Sequence, residues 1–404
     1  MDSEFGDILR ALRLQAGLSL QAVSRKIHWS KAAIGHAETG ARPPSPDLAA
    51  ALDRELGANG LLIVLAAAER GCRRTVNDMD RRGLIKALVA GGLSSLTPPI
   101  LEPSLEGRRI GSTDIVALVG RIAQLRHLDN SLGGADTFTL YMAEVESTEA
   151  LLATSTYSGG TRRALLSVLS EQTQLAGWAA FDAGWINRST GLYRKSYAAA
   201  VEADDPALLA NALALKAYQK AFTGRPDADL AHASIEALDD RVPVRVHALI
   251  HDRASWSFAL AGRPTQAEFS LDAATRALSV ADAAEPPHWA SWVDTQELEI
   301  MTGRCWAALR RPLRAVPPLE SALRAFPNAY ARDKAIYLLA LAAAYLHGHE
   351  LELAAASIKQ AHRLTKDVAS TRPTIRLRQT LSLMSETTTT GAARDLQAEL
   401  DASR

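Results

Sequence analysis

Two serines, Ser19 and Ser30, each stand just before a short run with apolar residues at helical spacing. Leu20, Val23 and Ile27 follow the first, and Ile34 and Ala37 follow the second. His28 and Trp29 occupy the turn between the runs. Gly40 closes the second run, and Pro43, Pro44 and Pro46 stop it from continuing. A helix, a turn of a few residues and a second short helix form the helix-turn-helix unit, whose second helix lies in the major groove of DNA. The chemistry expected there is hydrogen bonding to base edges and phosphates. Bond-making chemistry has no comparable footing. His247 and His251 are four apart, as metal ligands can be, yet no HExxH context and no Cys or carboxylate cluster completes a site. The chain has neither a phosphate-binding glycine loop nor a GxSxG elbow. No enzyme activity, metal or cofactor is expected.

Positioning such a helix takes a small core. A helix from about Phe5 to Ala16 places Phe5, Ile8, Leu9 and Leu12 on one face, and a fourth helix from Pro46 to Leu56 follows the cap Ser45. Leu61 to Arg70 reads as a further apolar helix, which sets the first domain at residues 1–70. Residues 71–111 read as a linker with a docking helix around Leu84 and Leu88. The linker carries Arg73, Arg74, Arg81, Arg82 and Lys86, and a loop is marked by Pro98, Pro99 and Pro103. From residue 112 to 404 the chain reads as helical throughout, so the fold expected is all-α. Glycine turns recur at Gly184, Gly224, Gly262, Gly303 and Gly348, about 40 residues apart. Paired helices at that period make an α-solenoid.

Charge and cysteine usage set outer limits. Forty-five basic side chains balance 45 acidic ones, and the first seventy residues hold eight of each. No global field draws this chain to a polyanion, so binding from one copy is weak and two copies on one site are expected. Cys72 and Cys305 form no disulfide framework, which fits a reducing cytoplasm. No signal peptide and no apolar run of about 20 residues is visible, so no membrane partner is expected.

Residues Phe5 to Leu56 resemble the Cro/C1 family of helix-turn-helix regulators, also called lambda-repressor-like or XRE. The resemblance rests on LRALR (Leu9–Arg13), GLS (Gly17–Ser19), Ser30-Lys31, Ile34, Glu38, Gly40 and RPPSP (Arg42–Pro46). It implies base contacts from Lys31, Ala32 and His36 beside the cap Ser30, and phosphate contacts near Thr39 and Arg42. It also implies a structural pair between Arg13 and Glu38. Two departures stand out: Leu20 replaces a frequent Gln, and His36 replaces a frequent Arg or Gln. Within the repeats, LAGWAAFDAG (Leu175–Gly184) resembles the first helix of a tetratricopeptide repeat (TPR). The layout as a whole resembles XRE regulators with a TPR-like C-terminal domain that are frequent in actinobacteria and, more distantly, peptide-sensing quorum regulators.

That resemblance implies a cytoplasmic, nucleoid-associated transcription factor. It would bind a pseudo-palindromic double-stranded operator as a homodimer and sense a peptide, a small molecule or a partner protein. A solenoid presents a concave wall lined by the first helix of each repeat. Trp178, Asn211, Tyr218, His251, Arg253, Trp256 and Gln296 are the ligand-binding candidates there, with Trp185, Trp292 and Tyr337 as further aromatic positions. The competing expectation is an interaction scaffold whose helix-turn-helix does not read DNA, a reading favoured by the neutral charge and by Leu20.

Overall fold

The computed structural model describes residues 4–15, 18–42, 44–56, 58, 62, 66, 107–128, 133–280, 286–365, 370–387, 396 and 398–400. The chain divides into two compact units, Met1–Pro103 and Ser104–Arg404. Among the described residues the fold is all-α, with seventeen α-helices and no strand. The basic positions Arg73, Arg74, Arg81, Arg82 and Lys86, the docking helix expected near Leu84 and Leu88, and Cys72 lie outside the described residues.

The first unit holds α1 (Glu4–Gln15), α2 (Leu20–Ile27), α3 (Lys31–Glu38) and α4 (Pro46–Glu55). Three serines cap three helices. Ser19, Ser30 and Ser45 accept from the backbone N–H of Ala22, Ala33 and Leu48 at 3.1, 3.1 and 3.2 Å. Each cap is worth about 1 kcal/mol and fixes where its helix starts. Phe5, Leu9, Val23, Ile34, Leu48 and Leu52 form the core and are essentially shut off from solvent. Burying each such side chain contributes roughly 1.5–3 kcal/mol. Gly6 lets α1 run against the end of α3: a Cβ there would lie 2.3 Å from the Glu38 carbonyl oxygen.

The second unit runs through α5 (Ser112–Leu128), α6 (Gly134–Thr154) and five helix pairs. The pairs are α7 (Gly159–Asp182) with α8 (Ile186–Ala203), and α9 (Pro206–Phe222) with α10 (Ala228–Glu236). Next come α11 (Val244–Leu260) with α12 (Pro264–Ser279), and α13 (Thr295–Ala308) with α14 (Pro312–Ala325). The last pair is α15 (Ala331–His347) with α16 (Leu351–Thr365), and α17 (Arg372–Thr387) follows. Within each pair the helices pack side by side, and α7, α9, α11, α13 and α15 also pack on one another in that order. This is the neighbour-to-neighbour pattern of a solenoid. Residues 107–111 join the unit through a bridge in which Thr156 donates to Arg108 O and Ile110 donates to Thr156 O, both at 2.9 Å.

Gly184, Gly224 and Gly262 take positive φ (83°, 78° and 68°) and end their helices as the repeat pattern predicts. The other two glycines act differently. Gly303 lies inside α13, where a Cβ would meet Leu319 Cγ of α14 at 2.4 Å, so this glycine serves close packing. The turn after α13 falls at Arg310 (φ 56°), and the turn after α15 falls at His349 (φ 62°) rather than at Gly348. One left-handed residue suffices to reverse a chain, and a non-glycine can supply it at a modest local cost.

The sequence pattern gives no hint of the path of α17. It does not extend the stack; it returns along the first helices. Thr371 N–H donates to the Asp182 carbonyl at 2.9 Å, joining the start of α17 to the end of α7. Ile375 packs against the core cluster that holds Phe181, Trp256 and Met301, while Leu377, Leu381 and Leu383 pack against the cluster built mainly from α15 and α16.

Candidate nucleic-acid interface and effector cavity

In the first unit, α3 is held rigidly from behind. Arg13 of α1 makes a two-pronged bond to Glu38, with Nε to Oε2 at 2.8 Å and Nη2 to Oε1 at 2.6 Å, and its Nη1 donates to Leu18 O at 2.8 Å. Both side chains are almost buried. Such forked pairs fix orientation as well as adding energy. The turn is fixed as well: His28 takes the left-handed conformation (φ 56°), and Ser24 Oγ donates to Trp29 O at 2.6 Å. Lys26 bridges to Glu55 at 2.6 Å and ties α2 to the end of α4. Leu20 packs partly into the core, which explains in packing terms why an apolar residue stands there.

The outward side of this frame carries Ser30, Lys31, Ala32, His36, Thr39 and Arg42, all exposed. Of the six sequence-predicted positions, Lys31, Ala32 and His36 lie on α3 and Ser30, Thr39 and Arg42 flank it. The side chains of Ile34 and Ala37 point the other way, into the core. The exposed profile is low, because Ala32, Ala33 and Gly35 add little bulk, and nothing lies within 4 Å of where a Gly35 Cβ would sit. A backbone can therefore approach closely here. Ser30 Oγ is committed to its cap, and Thr39 Oγ1 donates to Gly35 O at 2.9 Å. Lys31, His36 and Arg42 remain as outward polar groups.

In the second unit a cavity of about 480 Å³ opens on the first helices, within the size range of small-molecule sites. Trp178, Asn211, Tyr218, Arg253 and Gln296 line it, as do Trp292 and Tyr337. The remaining two ligand-binding candidates, Trp256 and His251, do not line this cavity; Trp256 lines a second one with Arg304, His347 and Arg376. Trp256 is 1% exposed and is packed against Tyr218 and Phe222, with the Arg304 guanidinium over its ring at 4.3 Å. His251, two residues before Arg253, therefore falls on another face of α11. Burial, His247 and Arg276 hold its pKa down to about 4. Trp185 stacks edge-on against Phe138 at 5.1 Å, away from the cavity.

The cavity wall also contains charges that spacing did not reveal. Arg126, Arg304, Arg332 and Arg372 line it with Arg253, alongside the acids Asp294, Glu297 and Asp333. Asp182, fully buried behind the wall, is the hub. Arg372 Nε donates to its Oδ1 at 2.7 Å and Ser370 Oγ donates to the same oxygen at 2.7 Å. Gly134 N–H donates to its Oδ2 at 3.0 Å, and Arg332 lies 3.5 Å from that oxygen. Burial alone would raise the Asp182 pKa; the Arg372 and Arg332 charges and these hydrogen bonds outweigh it and hold the carboxylate ionised.

Glu297 is the opposite case. Burial pushes its pKa up to about 7, although Arg253 and Arg304 pull it back and Tyr337 OH donates to its Oε2 at 3.2 Å. Behind it Asp252, also buried, is raised well above its usual range, first by burial and then by Glu297. Tyr218 accepts from Arg304 Nη2 at 3.2 Å; burial would raise its phenol pKa, but three neighbouring arginines hold it below its ordinary value.

Residues 4–63 match the family model of a helix-turn-helix domain, a span that includes all of α1 to α4. Residues 4–63 thus form a helix-turn-helix domain, and the match supports a DNA-binding regulator. No curated protein matches the chain. Among the described residues no helix is long and apolar enough to cross a membrane, and no group of three or more metal-ligating side chains gathers.

Proposed function

We propose that this chain is a sequence-specific transcription regulator of the XRE type, working in the cytoplasm and on the nucleoid when bound to its operator. The observation that carries this reading is the exposed rim Ser30–Arg42 on a helix braced by the Arg13–Glu38 fork. Lys31 and His36 read base edges, the Ala32 methyl touches a thymine methyl, and Thr39 and Arg42 meet phosphates. The balanced charge supports a homodimer on a pseudo-palindrome, with recognition helices one DNA turn of about 34 Å apart or a multiple of it. The TPR-like second unit takes an effector in its cavity. The effector acts by binding one shape of that unit better than another, since only a difference in affinity shifts an equilibrium.

The test is selection of bound duplexes from random DNA by the full-length protein, followed by titration of the selected site with the Lys31→Ala, His36→Ala double variant. A loss of at least tenfold is expected, since a good base contact is worth about 1–3 kcal/mol. Equal affinity of parent and variant, or failure to enrich any sequence, would refute the reading. A steep fall in binding with salt separates it from the scaffold reading, because only phosphate contacts release counterions.

A further inference from the structure

We infer that the cavity of the second unit binds a small aromatic carboxylate, with the acid group on Arg253 and the ring against Trp178 and Trp292. The inference rests on the effector role proposed above and goes further by naming the chemical class.

Four of the five cavity arginines are already engaged. Arg126 pairs with Glu171 at 2.9 Å. Arg372 and Arg332 share Asp182 and Asp333. Arg304 donates to Tyr218 OH and lies over the Trp256 ring. The guanidinium of Arg253 alone among the five makes no hydrogen bond or ion pair with a described residue. Its Nε and Nη1 are shut off from solvent without a partner. A guanidinium is never deprotonated in a protein, so these donors hold a full charge in waiting.

Aromatic rings hold that guanidinium in place without taking its hydrogen-bond donors. Its carbon lies 4.7 Å from the Tyr218 ring centroid, 5.3 Å from Trp292 and 5.4 Å from Trp178. Aromatic faces orient a guanidinium and leave its edges free. Each usable edge of the fork combines Nη2 with one of the two unpartnered nitrogens, so a two-oxygen acid satisfies it in a planar, two-pronged contact. The charge balance selects among acids. Asp294, Glu297 and Asp333 share the lining, which disfavours a phosphate dianion and suits a single negative charge. The apolar body of the ligand meets Trp178 and Trp292, the latter 41% exposed and able to cover a ring. Gln174 and Gln296 add little to the recognition, since Gln174 is bound to Ser196, Leu208 and Asn211, and the Gln296 amide donates to Ala322 O.

The test is isothermal titration of full-length protein with benzoate, salicylate and indole-3-acetate, and with the corresponding neutral amides. The expected result is saturable binding of at least one acid, at least tenfold weaker binding of its amide, and at least tenfold loss in Arg253→Gln. A second variant, Trp292→Ala, keeps the test open should Arg253→Gln fail to fold; it too should weaken the acid at least tenfold. The inference is overturned if none of the acids saturates, if acid and amide bind alike, or if both variants bind like the parent. Operator affinity measured with and without the acid separates this inference from the effector role. Binding with no change in operator affinity leaves the acid site standing and removes the effector role. A peptide or other molecule that shifts operator affinity while no acid binds does the reverse.

Discussion

The two units solve the problem of holding a functional face by different means. In the first, the side chains that fix α3 are near in sequence: Ser30 caps three residues on, Ser24 reaches Trp29 five residues on, and the Arg13–Glu38 fork spans 25. The exposed rim is then left to ordinary solvated groups. In the second, the cavity wall is held by ties spanning much of the unit, with Arg372 to Asp182 across 190 positions and Arg304 to Tyr218 across 86. Its cavity face is rich in buried charge. A groove-reading helix needs a firm backing and a plain front, whereas a cavity needs its polar groups desolvated and aimed, and that takes many elements at once.

This contrast is broken most severely at Asp182. Asp182→Asn leaves Arg372 and Arg332 facing a neutral amide, and removing one partner of a buried ion pair costs about 3–5 kcal/mol. Denaturant unfolding of the full-length protein at pH 7 should show that loss in the transition of the second unit. A change under about 1 kcal/mol would show that the long-range ties do not hold the wall.

The next effect depends on pH. Glu297 binds its proton more tightly folded than unfolded, with its pKa raised from 4.5 to about 7. For an acid raised in this way, stability is lost as pH climbs from the unfolded value through the folded one. Glu297→Gln removes that loss, so the variant should gain stability over the parent as pH rises from about 4 to about 8. His251, with its pKa lowered to about 4, makes both proteins more stable as pH rises toward 6.5, and it cancels in the difference. A gap that does not vary with pH would rule out a buried titrating carboxyl.

The smallest expected effect is in the first unit. Ser30→Ala removes one cap and should cost about 1 kcal/mol. Amide exchange at Ala33 and Ile34 should accelerate about fivefold, with exchange in α7 to α15 unchanged. Unaltered protection in α3 would mean that its start is fixed by packing alone.

The same contrast explains what the sequence disclosed. Caps, apolar spacing and the glycine breaks act over a few residues, so Ser30, Ile34, Gly40 and the turn glycines Gly184, Gly224 and Gly262 were legible. The rim of α3 followed from them, because the residues between core positions on a short helix must face outward. The cavity was legible only in part. Trp178, Tyr218 and Arg253 were readable as inner-helix positions, but Trp256 and His251 on α11 look the same by spacing, and a rotation of a turn or less decides which face a residue occupies. The Asp182 hub was not legible, since nothing near it points to residue 372. One signal was available: arginine and acids within otherwise apolar helices, Arg304 in EIMTGRCWAA and Asp252 in LIHDRASW, since a charge is carried into a core only with a partner.

The tie from α17 to α7 also sets an order of events during synthesis. Asp182, Trp178 and Tyr218 leave the ribosome long before Arg372, which forms their side of the cavity wall. Until that arginine arrives, Asp182 is without its closest cationic partner and the cavity lacks part of its wall. The first unit, built from nearby contacts, can fold much earlier. A growing or prematurely ended chain would then carry a finished helix-turn-helix domain and an incomplete cavity.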